Sequence, residues 1–308
     1  MITWVLGRGG LVGSSVESKL INRSTVWFPE DSIQWNDLSS FEKSFTRAFN
    51  QFIQLIQDED WAILWCAGNG VVSSSQKQLQ TESLCIRVVC SQIALLSQTT
   101  QSRGTVSFTS SAGGIYGGSS GTIFNENTIP EPINEYGQTK LETERQLIHF
   151  ANQSNVKVAI FRLANVYGPN QNQRKSQGII SAITHSMLHH KPVKIFVPLH
   201  TVRNYIYADD VGEIIARHLT RPASNKSSKI YLKLVASDRN ISLSSLINEF
   251  RNVYGHRPMV ISTVSSAATQ HPINLRFKSV IYGPNDEFSF TPLAVGIDRV
   301  RRRSLITN

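Results

Sequence analysis

The sequence predicts an α/β protein: a doubly wound parallel sheet with helices on both faces, followed by a smaller C-terminal lobe. Short runs rich in Val, Ile, Phe and Trp alternate with runs of helical period through the first half of the chain. Apolar residues hold consecutive positions within the short runs, as strands covered on both faces require. A glycine-rich turn stands between the first strand candidate and the first helix candidate, where such folds bind ligands.

In order, strands are expected at residues 3–6, 25–28, 33–35, 62–66, 105–109 and 158–163. Helices are expected at 11–21, 40–57, 82–98 and 136–153. After Asn165 the rhythm changes. A loop at 168–173 leads to an amphipathic stretch at 178–190, a strand at 202–207, a helix at 209–219 and a polar loop at 221–228. From residue 230 the elements are short and lack βαβ order. Residues 1–165 are therefore expected to form the nucleotide-binding half, with 200–222 packing back on it. Residues 166–308 are expected to be mainly a substrate-binding lobe.

A chain of 308 residues, 40% hydrophobic and 17% charged, buries a large core and is not of disordered type. No apolar run reaches the ~18 residues of a membrane span. Met1-Ile2-Thr3-Trp4-Val5-Leu6 runs straight into glycines, without the basic start and cleavage site of a signal peptide, so a cytoplasmic location is expected. Cys66, Cys85 and Cys90 form no CxxC pair and read as buried free thiols. The net charge of +9 owes much to Arg299, Arg301, Arg302 and Arg303. No aromatic residues interleave with them, so a solvated tail is expected and nucleic acid is not. His185, His189 and His190 lack an acidic or Cys third ligand, and no metal is expected.

Three motifs carry chemistry. Gly7-Arg8-Gly9-Gly10-Leu11-Val12-Gly13 follows the first strand and opens the first helix, where close backbone approach and free N–H groups suit a pyrophosphate. In Tyr136-Gly137-Gln138-Thr139-Lys140 the phenol and the ammonium share a helix face one turn apart, and a nearby cation favours tyrosinate. Ser110-Ser111-Ala112-Gly113-Gly114-Ile115-Tyr116-Gly117 follows the fifth strand candidate at the ligand-binding edge. Taken alone, the tyrosine–lysine spacing says little in a chain with eight tyrosines, and the Ser/Gly run also suits a plain turn.

All three stand in order on the right elements, and with them the chain resembles the extended short-chain dehydrogenase/reductases, the NAD-dependent epimerase/dehydratase family with its Rossmann nucleotide-binding domain. Gly7, Gly10 and Gly13 match the family's GxxGxxG, and Ser111, Tyr136 and Lys140 match its catalytic set. Asp37-Leu38 resembles the pair that holds the adenine, and Cys66-Ala67-Gly68 the turn against the cofactor. The stretch Arg162-Leu163-Ala164-Asn165-Val166-Tyr167-Gly168-Pro169 resembles one whose Asn touches the substrate phosphate. Arg203-Asn204-Tyr205-Ile206-Tyr207-Ala208-Asp209-Asp210-Val211 resembles one whose Arg binds the nucleotide diphosphate. The run from Thr291 to Ile297 resembles the family's entry to its terminal helix.

Departures are visible. Ser111 lies five residues before Tyr116 where four is commoner, leaving Ser110 as an alternate. The short link Pro29-Glu30-Asp31-Ser32 is nearer the sugar-nucleotide reductases. The family's Asn near Ser83 is missing, and Arg276 precedes Ser279 where an Asp is usual, which leaves a second substrate arginine in question.

The resemblance implies hydride transfer between a nicotinamide and C4 of a nucleotide-linked sugar. Tyr136 would be the acid/base, Lys140 would hold the cofactor ribose and Ser111 would orient the sugar oxygen. An epimerase acting through a transient 4-keto sugar is expected, with a 4-keto-sugar reductase as the alternative and a non-catalytic dinucleotide sensor behind both. Glu30 or Asp31, placed to meet the ribose 2′-hydroxyl, favours NAD; Arg8, able to pair with a 2′-phosphate, speaks for NADP. The helix containing Leu84, Val88, Val89, Ile93, Leu95 and Leu96 is apolar on more than one face. Relatives pair through this helix and the Tyr136 helix, so a homodimer is expected.

Overall fold

The computed structural model describes residues 1–68, 76–171, 178–220, 228–263, 272–281 and 289–307. The first half runs β1 (Ile2–Leu6), α1 (Leu11–Leu20), β2 (Thr25–Trp27), α2 (Leu38–Ile56), β3 (Trp61–Trp65), α3 (Gln76–Ala94), α4 (Gln98–Ser102), β4 (Gly104–Ser111), α5 (Ala112–Ile115), α6 (Glu135–Gln153) and β5 (Lys157–Leu163). The second half runs β6 (Asn165–Tyr167), α7 (Ile179–Leu188), β7 (Val193–Ile195), β8 (Val202–Tyr207), α8 (Ala208–Thr220), β9 (Ile230–Val235), β10 (Asn240–Ser242), α9 (Leu243–Tyr254), β11 (Val260–Ser262) and α10 (Leu293–Thr307). Residues 172–177 and 221–227, which take in parts of the two expected loops, lie outside those described.

Six parallel strands form the central sheet in the order β2-β1-β3-β4-β5-β9. Period-two alternation sends Ile2, Trp4 and Leu6 of β1, Trp61, Ile63 and Trp65 of β3, and Val158 and Ile160 of β5 to one face. There they meet α2, α3 and α6. Val5, Leu64, Ala159, Phe161 and Leu163 turn to the other face, against α1 and α8. This two-sided burial explains why the strands read as unbroken apolar runs. Helix α2 lays Phe41, Phe45, Phe49 and Phe52 along one stripe, and Phe45 stacks 5.2 Å from Trp4. Each such buried side chain contributes about 1.5–3 kcal/mol.

Four expectations change. Residues 33–35 add no strand: the Gln34 amide is taken by Ser44 Oγ of α2 at 3.0 Å, and Trp35 packs against Phe41 and Trp65. The sixth strand is instead β9, from a region that looked like lobe alone. Helix α3 begins at Gln76 and lies between α2 and α6, so Val88, Val89 and Ile93 are buried within the chain and its second apolar face is largely accounted for. Of its exposed apolar groups, Leu84 and the following Leu95 remain. The C-terminal arginines belong to α10, not to a solvated tail. Ile297 and Val300 are buried, Arg299 lies over the Tyr207 ring, and Arg301 pairs with Asp298.

The smaller body combines the sheets β10-β8-β6 and β11-β7 with α7, α9 and α10 around Tyr205, Tyr207, Leu246 and Phe250. Helix α8 leaves it to lie on α1, where Gly212 sits so close that an added Cβ would be 2.6 Å from Ser15 O. No helix among the described residues is long and apolar enough to cross a membrane. The chain leaves β1 toward β2 on one side and returns to β3 on the other, which opens a crevice at the strands' carboxyl ends.

Candidate active site

A cleft of about 950 Å³ occupies that crevice and continues into the smaller body. Its floor is the turn from β1 to α1. Gly7 has φ +85°, and a Cβ there would fall 2.4 Å from Ala67 N; one on Gly13 would fall 2.3 Å from Gly7 O. Only glycine permits either contact. Gly10 caps α1 without a side-chain hydrogen bond, so Leu11, Val12 and Gly13 present the amides of a helix N-terminus, and Gly9, Gly10, Leu11 and Val12 line the cleft. Cys66, Ala67 and Gly68 form the adjoining wall, and burial pushes the Cys66 thiol up to about 12, so it stays protonated. This cradle fits the pyrophosphate of a dinucleotide.

Arg8 does not wait for a phosphate. It forms two bonds of 2.7 and 2.6 Å to Glu17 and lies 4.5 Å from the centre of the Phe28 ring. Glu30 is exposed and off the cleft, while Asp31 pairs with Arg47 at 3.1 Å. Asp37 caps α2: its carboxylate accepts from Ser40 N and Ser40 Oγ, which hold it below the usual carboxylate range. Neither Asp37 nor Leu38 lines the cleft.

The opposite wall comes from β4, α5 and α6. Ser111 caps α5, and its Oγ accepts from Gly114 N at 3.2 Å, which leaves the hydroxyl proton to donate to a ligand. Ser110 is more deeply buried, lines the cleft as well, and its Oγ has no partner among the described residues. Gly114 and Gly137 bring α5 against α6: a Cβ on Gly137 would lie 2.0 Å from Gly114 O, and one on Gly114 would lie 3.1 Å from the Tyr136 ring. Gly114 thus leaves room for the Tyr136 ring.

Lys140 follows one turn later, its Nζ 5.8 Å from the Tyr136 ring centre and 5.0 Å from that of Phe108. Burial works against the ammonium, but Glu82, Tyr136 and Glu144 outweigh it and raise its pKa above the ordinary lysine value. Ser111, Tyr136 and Lys140 therefore share one wall of the cleft with Ser110.

The smaller body supplies the far end. Arg203 lines the cleft, donates to Val202 O at 2.8 Å, and has no carboxylate partner among the described residues; burial pulls its pKa down. A half-buried guanidinium without a counter-ion favours an anionic ligand. Asn165 lines the same space and donates from Nδ2 to Asn204 O. Lys194 and Phe196 are also there, with Thr201, whose buried Oγ1 has no partner among the described residues. Arg276 is exposed and stands outside the cleft, its carbonyl accepting from Phe124 N.

Sequence reasoning missed Glu82, Lys194, Phe196 and Thr201. None sits in a recognisable motif, and the Glu82–Lys140 pair spans 58 residues. Glu126, also outside the motifs, accepts from Leu234 N, Ser279 Oγ and Val280 N, clamping 279–280 to β9 away from the cleft.

Fold and cleft together define a dinucleotide-binding α/β protein whose second body closes over the far end of the site. The sequence model of the NAD dependent epimerase/dehydratase family matches residues 3–232, and the chain belongs to that family; its cofactor is NAD. It is 30% identical over 106 residues to a putative UDP-glucose 4-epimerase of Methanocaldococcus jannaschii, covering 34% of this chain and 35% of that protein. It is 34% identical over 104 residues to the dTDP-4-dehydro-6-deoxyglucose reductase of Escherichia coli, covering 34% of this chain and 33% of that one. These matches therefore span about a third of the relatives' lengths. Mammalian dTDP-D-glucose 4,6-dehydratases are also among its relatives. The crystal structure of UDP-glucose 4-epimerase from Thermotoga maritima superposes with a TM-score of 0.76 at 22% identity, over 100% of this chain and 99% of that one. The likeness extends to the whole fold, the smaller body included.

Proposed function

We propose that the protein is an epimerase of a nucleotide-linked sugar that works through a transient 4-keto sugar. The observation that carries this reading is the single cleft, which joins a glycine-floored helix N-terminus, the Ser111–Tyr136–Lys140 wall and Arg203, which meets no carboxylate among the described residues. NAD, when bound, supplies the acceptor and donor of hydride. Tyr136 takes the proton of the sugar hydroxyl as the carbonyl forms and returns it afterward. Ser111, its lone pair already engaged by Gly114, donates to the sugar oxygen. Lys140 holds the cofactor ribose beside the phenol. Arg203 binds the diphosphate and leaves the sugar free to present either face to the cofactor.

Incubation with UDP-glucose, UDP-glucuronic acid and dTDP-sugars, followed by proton NMR of the anomeric region, tests the reading. Epimer formation with no net change in NADH supports it. Stoichiometric NADH consumption with a 4-keto sugar supports the second reading, a ketoreductase, which the similarity to the E. coli reductase favours. Retention of both Tyr136 and Lys140 argues against a sensor without turnover. We also propose a cytoplasmic homodimer that pairs through α3 and α6, with Leu84 in the contact.

A further inference from the structure

One carboxylate enters the Tyr136–Lys140 site from outside the motifs. Glu82, on α3, accepts a 2.7 Å hydrogen bond from Lys140 Nζ, and the two side chains are only 13% and 10% exposed. Gly68 makes the room. A Cβ there would lie 2.8 and 2.9 Å from the two carboxylate oxygens, so a side chain at this cleft-lining turn would force the Glu82 carboxylate to shift. Among the described residues Glu82 is the carboxylate that bonds the ammonium directly. On its own helix, Tyr136 and Glu144 also favour the charged lysine, but from a distance, and Glu144 is bonded to Arg162. Beyond β3, Cys66 remains a thiol, and β4 offers the uncharged ring of Phe108.

We propose that Glu82 is a positioning residue: it fixes Lys140 as a buried ammonium facing the cofactor cleft, so that the lysine's remaining N–H donors serve the bound dinucleotide into alkaline solution. A buried lysine without an anion sheds its proton, and its charge and one donor with it. Glu82 is thus the residue through which Lys140 keeps both. The inference rests on the cofactor reading of the cleft, and the experiment separates the two.

NADH affinity is measured by fluorescence titration between pH 6.5 and 10 for the wild type, Glu82→Asp and Glu82→Gln, each checked for folding by circular dichroism. The wild type and Glu82→Asp should hold constant affinity to about pH 9.5, whereas Glu82→Gln should match them near pH 6.5 and weaken about tenfold by about pH 9. A role confined to clasping α3 to α6 would lower the melting temperature of Glu82→Gln yet leave its pH profile parallel to that of the wild type, and parallel profiles overturn the inference. Loss of wild-type affinity below about pH 8.5 overturns it even where Glu82→Gln does not fold. A wild type that binds no NADH at any pH removes the cofactor reading and this inference with it.

Discussion

Helix α6 carries two buried ion pairs one turn apart, and they differ in what surrounds them. Glu144 meets Arg162 in a sealed knot, the side chains 1% and 6% exposed, and the guanidinium also donates to Tyr116 Oη at 2.5 Å. That phenol in turn donates to Asn125 O, so the knot's hydrogen bonds close on protein groups, away from the cleft. Lys140 meets Glu82 with similar geometry, but this pair opens on the cleft and the ammonium keeps donors in hand. Burial and distance alone do not tell the two apart. Spare hydrogen-bonding capacity facing a cavity does.

The two tyrosines beside these pairs break or sharpen the contrast. Tyr136→Phe should lower turnover by about 10²–10⁴-fold while NAD affinity, read by calorimetry, stays close to wild type. Turnover within threefold of wild type would remove Tyr136 from the chemistry. At the sealed pair the effect should fall on stability. Arg162→Met strands Glu144 without its partner and should cost about 3–5 kcal/mol in urea unfolding. Tyr116→Phe, the control for Tyr136→Phe, should cost about 1–3 kcal/mol and leave turnover per folded molecule intact.

At the far end of the cleft, Arg203→Met should weaken nucleotide-sugar binding about tenfold with no change in NAD affinity, since its anion belongs to the substrate. The smallest effect expected is none at all. Ala112, Gly113 and Gly114 bring no acid beside Ser111, so dTDP-glucose should yield no 4-keto-6-deoxy sugar, which is read by absorbance in strong base. Its appearance would reveal an acid–base pair elsewhere in the cleft.

Much of the site was legible because its signals are local. Gly7, Gly10 and Gly13 lie within one turn, Tyr136 and Lys140 within one helical repeat, and the strands of the first half announce themselves by unbroken apolar runs. What escaped depends on distant partners. Residues 33–35 have strand composition, but Ser44 and a cage of Phe41 and Trp65 decide their fate. The apolar surplus of α3 resembled an interface until α2 and α6 were seen to enclose it. Val88 is consequently no probe of assembly, whereas Leu84→Glu should leave the fold intact and dissociate a dimer in sedimentation velocity. The C-terminal arginines read as a tail because the Tyr207 ring that meets Arg299 lies far off in sequence; the local Asp298–Arg301 spacing was the one sign of a helix.

The placement of β9 governs how this molecule can be made. Residues 230–235 pair in register with 158–163, so the sheet gains its last strand only after the chain has passed through β6, β7 and β8 of the other body. A fragment ending at residue 165 would leave the β9-facing edge of β5 unpaired along Val158–Phe161, between Lys157 and Arg162, and would invite pairing with other chains. During synthesis the same edge stays open until some seventy further residues have emerged, a span of non-local contact that slows closure of the sheet. A cut between the two bodies should therefore give aggregates rather than two separately folded pieces.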